Sequence, residues 1–371
     1  MAGQSASATY AFIGTYTRTA PHVQGKAEGI YVYRVDLSTG ALTHVHTMPG
    51  VVNPSYLTLD PQHRHLYAVS EVDEVDGQVG GAVSAYAIDQ ETGALTYLNR
   101  QSTRGTWPCH LCVDQTDRFV LTANYLSGSV AVLPILAEGQ LGPISDFHQH
   151  VGSSVNPDRQ QGPHAHSINL DRANRHAVVC DLGLDMVLVY RLDHGQSALI
   201  PIESAGAVAR PGAGPRHLDF HPSGRYAYVI NEIGSTMTAY AYDESTGSLH
   251  EIHSLSTLPE GFTGTNHTAD VHVHPSGRFV YGSNRGHDSI VTFAVDTTTG
   301  RLSYVDRQST QGSTPRNFVV DSSGTFLFAA NQNGDTIVTF RIDSQSGKLT
   351  PTGHVASVPS PVCVKIATLT P

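Results

Sequence analysis

The stretch "GPHAHSINLDRANRHAVVCDLGLD" (162–185) sets His164 and His166 two residues apart, at the head of a strand–turn–strand pattern. Positions i and i+2 of an extended chain share a side, so both imidazoles are expected to face one space. Imidazole titrates near neutrality and ligates metals. The pair therefore suits acid–base catalysis, metal binding, or simple hydrogen bonding at a strand start. Asp181-Leu-Gly-Leu-Asp185 just downstream could suggest a calcium loop. Further along stand Arg216–His217, Asn231–Glu232, Asp270 with His272, Asn284–Arg285, and Arg316–Asn317. What these groups can do depends on whether the fold gathers them.

Internal repetition supplies the elements. "GPRHLDFHPSGRYAYVINEIGSTMTAYAYDESTGSLH" (214–250) is echoed by "TADVHVHPSGRFVYGSNRGHDSIVTFAVDTTTGRLSYV" (268–305) and by "TPRNFVVDSSGTFLFAANQNGDTIVTFRIDSQSGKLT" (314–350). Looser copies begin at Asn53, Trp107 and Gly162, so successive starts lie 46 to 55 residues apart. Each unit reads as four strands: period-2 alternation as in "SIVTFAVD", broken by PSG, SSG or Thr-Gly turns. Radially repeated four-stranded units describe a β-propeller. Six full units plus the N-terminal "ATYAFIGTYT" and "GIYVYRVDLSTGALTHV" give an all-β, seven-bladed propeller of antiparallel blades. The C-terminal "SPVCVKIATL" supplies the inner strand that the first blade lacks. N- and C-terminal strands thus close the ring of a single domain, 1–371, with a disordered tail expected at 1–9.

In a propeller the first strand of each blade is innermost, so two sets of positions converge on one channel mouth. The first is Ser55, Cys109–His110, His164–His166, Arg216–His217, Asp270–His272 and Arg316–Asn317. The second, ending the next strand, is Glu71, Asn124, Asp181, Asn231–Glu232, Asn284–Arg285 and Asn331–Gln332. Charges gathered in a partly enclosed mouth are costly unless paired or used. The residues expected to carry chemistry are His164, His166, Arg216, Glu232 and Arg285. His110, His217, Asp270, Arg316 and Asn331 are expected to contact substrate. Against this, Arg216 and Arg285 could be structural partners of Glu232 or Asp270. The turn at Asp181–Asp185 has sibling turns without the carboxylates calcium needs, so it reads as a blade turn. His63, His65, His221 and His274 fall in blade turns or strands and are expected at the surface.

Composition narrows the partners. The formal charge is −10 with no basic run, which argues against nucleic acid. Of 22 basic residues only Lys26, Lys348 and Lys365 are lysines, and the arginines offer planar forks for carboxylate or phosphate. "MAGQSASATYAFIG" lacks the basic and apolar regions of a signal peptide, and no apolar run reaches membrane-spanning length. Four cysteines include Cys109 and Cys112, with no second CxxC to complete a zinc site. Cys180 and Cys363 read as core residues. A cytoplasmic monomer or homodimer without cofactor, metal, membrane or nucleic-acid partner is expected.

"GPHAHS…VVCDLGLDMVLVYRLD", "GPRHLDFHPSGRYAYVINE", "VHPSGRFVYGSNRGHDSI" and the opening "AFIGTYT" with "GIYVYRVD" resemble the lactonase family of seven-bladed propellers. The likeness runs from Tyr10 to Ile366. The family includes propeller-type 6-phosphogluconolactonase and the 3-carboxy-cis,cis-muconate lactonizing enzyme. The resemblance implies an active site made of a histidine in the fourth unit, either His164 or His166, with Arg216, Glu232 and Arg285. Metal-independent lactone hydrolysis would then use Glu232 or His166 as general base, Arg285 and Arg216 on the oxyanion, and His164 on the leaving oxygen. Arg316 is a further candidate for a substrate phosphate. Three alternatives remain open: a muconate-type cycloisomerase in the same pocket, a non-enzymatic binding propeller, and a metal site drawn from His110, His164, His166 and His217.

Overall fold

The protein is described here from a computed structural model covering residues 7–371. Seven four-stranded antiparallel sheets form the blades, and blade 4 gains a fifth short strand, Ala207–Val208. Apart from a three-residue 3₁₀ turn at Ala137–Gly139, the described residues hold no helix, and none long and apolar enough to cross a membrane. Blade 1 runs Leu42–Pro49, Gly29–Val35, Ala8–Thr15, Pro361–Leu369 from rim to axis. The terminal strands pair from Ala8↔Leu369 to Thr15↔Pro361, which leaves no open edge between first and last blades. The expected tail at 1–9 therefore needs correction. Residues 1–6 lie outside the described residues, while Ala8 and Thr9 are strand residues hydrogen-bonded into the ring closure.

Burial follows position in the blade. Second strands such as Tyr226–Asn231 are wholly buried, whereas the outermost Leu42–Pro49 is mostly open to solvent. The apolar clusters sit between neighbouring sheets rather than at one centre: Ile230, Met237, Val280 and Phe293 join blades 5 and 6, and Leu327, Phe340, Tyr281 and Phe318 join blades 6 and 7. The Thr-Gly and Ser-Gly turns lock these interfaces. Gly300 (φ +72°) holds a left-handed turn, and a Cβ there would stand 2.4 Å from the Tyr226 ring of the preceding blade. Only glycine meets both demands.

His221 and His274 depart from expectation. Both are buried, each accepting from the backbone N–H of a serine two residues on while its Nε2 meets the Gly277 or Gly324 carbonyl of the next blade. They occupy the turn position that Asp114 and Asp321 hold elsewhere, where a carboxylate oxygen accepts from the same N–H two residues on. A histidine does this capping and also reaches the neighbouring blade, so it is drawn inside.

Candidate active site

The inner strands share one irregularity. In blade 3 Pro108 pairs Asn124 but His110 pairs Ala123, leaving Cys109 as an extra residue. The same slip isolates His166 in blade 4, Arg216 in blade 5 and Arg316 in blade 7. A bulge turns its extra residue away from the regular pleat, and the repeated bulge aims these four side chains at the axis. The chain enters the inner strands of blades 2, 3, 5, 7 and 1 through left-handed residues: Asn53, Trp107, Gly214, Thr314 and Ser360. Gly214 adopts this conformation freely. Trp107 and Thr314 carry a bulky or branched Cβ at φ +53° and +59°, a strain of about 1–3 kcal/mol each stored at the mouth.

The bulged residues open onto a cavity of about 360 Å³, a size suited to a small ligand. One wall centres on Glu232, at the end of the second strand of blade 5. Its Oε2 accepts from Arg216 Nε at 2.9 Å and forms an ion pair with Arg285 Nη2 at 2.7 Å, and its Oε1 accepts from Arg159 Nη2 at 2.5 Å. Burial would raise its pKa, but Arg285, Arg216 and Arg159 overcome this and hold it well below the usual carboxylate range. Burial and the neighbouring guanidiniums push Arg285 down to about 9 against the pull of Glu232, still a cation at neutral pH. His166 stands 3.9 Å from Glu232 through Nε2. Burial first, then Arg216, keeps it well below its ordinary value, so it is a neutral imidazole.

The facing wall is built by blades 7, 1 and 2. Glu71, buried at the end of the second strand of blade 2, accepts through Oε2 from the Tyr16 hydroxyl at 2.9 Å and from the Ser55 hydroxyl. Burial raises its pKa despite the opposing pull of Arg316 and these two bonds. The Arg316 guanidinium lies 5.5 Å from the Tyr16 ring centre and makes no ion pair or hydrogen bond among the described residues. Burial lowers its pKa, but Tyr16, Glu71 and Glu232 reverse this and hold it above the ordinary value. His22, exposed at the mouth, stands 3.0 Å from the Tyr16 hydroxyl.

The residues singled out from sequence divide into three layers. His166, Glu232, Arg285 and Arg316 line the cavity. Arg216, His217 and Arg316 border a small void of about 10 Å³ deeper along the channel. There Arg216 Nη1 approaches His217, whose Nδ1 is 2.7 Å from Asp270, which in turn meets His272 at 3.1 Å. His110 sits in this lower layer, against Tyr56 and His217. Arg216, His110, His217 and Asp270 thus support the site from beneath instead of lining the main cavity. Asn331 is fully buried and spans its own hairpin to Thr336, as Asn124 and Asn284 do to Ser129 and Ser289. It belongs to the scaffold.

His164 needs the largest correction. It stacks on Tyr125 (centroids 4.6 Å apart), its Nδ1 lies 3.0 Å from the Tyr125 carbonyl oxygen, and it is absent from the cavity lining. His166 meets the edge of the same ring, so Tyr125 stands between the two imidazoles. The shared-side expectation assumed regular pleating, and the bulge at His166 breaks it. The adjacent loop is a blade turn, as expected: Asp181 accepts from the backbone of His164, Gly183 and Leu184, and Asp185 from that of Gly212 and Gly214.

Sequence reasoning missed Glu71 as a site residue, along with Arg159, Tyr125, Trp107, His22 and His267, all of which line the cavity. Arg159 arrives on the connection between Asp146–Gln149 and Ala165–Leu170, folded by an Asn156 side-chain turn and by Gln160 donating to the Leu182 carbonyl. The unusual length of that connection was the available signal. Among the described residues, Asp60, His65 and Asp117 form a metal-type cluster, but none of them lines the cavity.

Comparison with known proteins adds independent findings. Residues 10–366 match the family described as "Lactonase, 7-bladed beta-propeller". The chain is 40% identical over 355 residues to a 6-phosphogluconolactonase of Bacillus subtilis, covering 95% of this chain and 97% of that one. It is 32% identical to a 6-phosphogluconolactonase of Formosa agariphila, over 84% and 86% of the two chains. The solved periplasmic gluconolactonase of Pseudomonas aeruginosa superposes with a TM-score of 0.91 at 34% identity, over 98% of this chain and all of that one.

Proposed function

Because the chain belongs to the seven-bladed β-propeller lactonases, we propose that it hydrolyses the lactone of a phosphorylated sugar acid. The reaction is of the 6-phosphogluconolactone class, as in the oxidative branch of pentose phosphate metabolism. The observation that carries the phosphorylated substrate is the charge of the cavity. Arg159, Arg285 and Arg316 line it and Arg216 lies beneath, against only Glu71 and Glu232. Three of the four guanidiniums are engaged on Glu232, and Arg316 is left for an incoming anion.

In this reading Arg316 takes the phosphate and Arg285 takes the carbonyl oxygen of the ester. Arg285 spends Nη2 on Glu232 and on the Thr268 carbonyl, while its Nε has no partner. The guanidinium borders the cavity and brings its positive charge to an oxygen that gains charge during attack. The guanidiniums supply the positive field that a metal would otherwise bring. A muconate-type polycarboxylate would call for several unengaged clamps, and the arrangement of the arginines does not favour it.

The test is proton release by the purified protein on 6-phosphogluconolactone and on unphosphorylated gluconolactone, corrected for spontaneous opening. The phosphorylated lactone is expected to show at least about ten-fold higher kcat/KM. Arg316→Gln is expected to raise KM for that substrate about 10- to 100-fold, the worth of a charge-assisted hydrogen bond, and to leave KM for the unphosphorylated one unchanged. Equal kcat/KM on both lactones would remove the phosphate assignment. No acceleration on either would remove the lactonase reading.

A further inference from the structure

We propose that Glu71 is the general base that activates the attacking water and then the acid that protonates the leaving ring oxygen. The inference rests on the lactone-hydrolysis reading and names the group that moves its proton. The geometry supports it in three ways. Glu71 lines the cavity, so its carboxylate reaches the space a substrate must occupy. Its Oε2 is anchored by the Tyr16 and Ser55 hydroxyls, which fixes the orientation of the group. Its Oε1 has no hydrogen-bond partner among the described residues, leaving that oxygen for a water. Glu232 also lines the cavity and is held in place, but it leaves no oxygen for a water, since both are taken by guanidiniums.

The proton account closes on one residue. Glu71 Oε1 takes a proton as the water oxygen bonds to the lactone carbonyl carbon, and the carbonyl π pair moves onto its oxygen beside Arg285. The tetrahedral intermediate collapses, the carbon–ring-oxygen bond breaks, and the departing oxygen takes the proton back from Glu71. The product is the open hydroxy acid, which ionises to its carboxylate, and Glu71 is again a carboxylate. A base works best when its pKa lies near the operating pH, and burial moves Glu71 upward, toward that range.

The charged and titratable groups around Glu71 come from five other blades: Tyr16, with His22 on its hydroxyl, from blade 1, Cys109 from blade 3, His166 from blade 4, Arg216 from blade 5 and Arg316 from blade 7. The Tyr16 bond favours the carboxylate, so removing that donor must raise the Glu71 pKa further.

Two variants test the assignment on a wild-type enzyme first shown to open a lactone. Glu71→Gln is expected to lower kcat about 10²- to 10⁴-fold with little change in KM, and to abolish the acid limb of the pH–rate profile. Tyr16→Phe keeps the carboxylate and is expected to shift that acid limb to higher pH while activity persists above it. Near-normal kcat in Glu71→Gln, or an acid limb unmoved in Tyr16→Phe, would overturn the role of Glu71 and leave the lactonase reading standing. An inactive wild type would instead fault that reading. Thermal melting of each variant separates a lost proton carrier from a lost fold.

Discussion

Glu71 and Glu232 occupy the same position in two different blades. Each follows the second strand, and each meets the side chain sixteen residues earlier on its own inner strand. In blade 5 that partner is Arg216; in blade 2 it is Ser55. One exchange of partner separates the two environments. The arginine recruits Glu232 into an ion-pair cluster that consumes both oxygens, whereas the serine anchors Glu71 through one oxygen and leaves its charge unneutralised. Burial acts on both alike and would raise both pKa values. It prevails at Glu71 and is defeated at Glu232. Two carboxylates whose environments drive them apart take different roles: Glu232 is a fixed counter-charge that organises arginines, and Glu71 is a proton carrier.

The widest separation between the two should appear in stability. Glu232→Gln leaves three guanidiniums facing no carboxylate, and breaking a buried pair in this way costs about 3–5 kcal/mol. Glu71→Gln removes a charge that burial already disfavours, so its stability at neutral pH should equal or exceed that of the parent. The pH dependence has opposite signs. Glu232 has a depressed folded pKa, so its contribution is present above the unfolded value of about 4.3 and is lost as pH falls through the folded pKa. Glu71 has a raised folded pKa, so it begins to destabilise as pH rises past about 4.3, and the cost levels off above its folded value. Chemical denaturation at pH 4 and pH 7 reads both slopes. Parallel slopes for the two variants would mean that the two carboxylates do not differ as described.

The repeat explains why the ring was readable and part of the site was not. Alternating strands, recurring PSG turns and the orphan inner strand at "SPVCVKIATL" carry local signals, and each became the expected element. The convergence of His166, Glu232, Arg285 and Arg316 also followed from position within the unit. The misplacement of His164 came from alignment: "GPH" in blade 4 looks like "GPR" in blade 5, yet Ala165, not Pro163, pairs in the manner of Pro215. A ladder slip leaves no mark in composition or alternation. Glu71 stood among the mouth positions, but a glutamate beside a serine carries no charge partner in sequence to call notice to it. Arg159 belongs to a connection with no counterpart in the other units, so repetition could not place it.

The histidine pair offers a smaller effect that sharpens the same contrast. His166 lies between Glu232 and Cys109 and borders the cavity, a neutral ring with one N–H to offer a substrate oxygen. His166→Asn should reduce kcat/KM about 3- to 10-fold, the net worth of a neutral hydrogen bond. His164→Asn should stay within about threefold of the parent, since its ring packs behind Tyr125. Steady-state rates on one lactone decide the order, and a reversal would return His164 to the reaction and displace the bulge as the device that aims the side chain.

Arg159 should yield a comparably small change, for a reason that tests how rigid the Glu232 wall is. Its guanidinium is 31% exposed and holds only Oε1 of Glu232, while Arg216 and Arg285 keep Oε2 from more buried positions. An ion pair open to water is worth about 0–1 kcal/mol, so Arg159→Met should cost little in melting temperature. Glu232 would remain pinned by two guanidiniums, its pKa still depressed and its orientation set. The expected kinetic change is therefore a few-fold rise in KM, from the loss of one positive charge at the mouth, with kcat nearly constant and the difference shrinking at high ionic strength. A hundred-fold fall in kcat would require that freeing Oε1 disorganises Arg285 or that Arg159 itself reaches the ester. Either outcome would make the Glu232 wall a moving part of the reaction, and the division between a fixed wall and a working wall would have to be redrawn around the loop that carries Arg159.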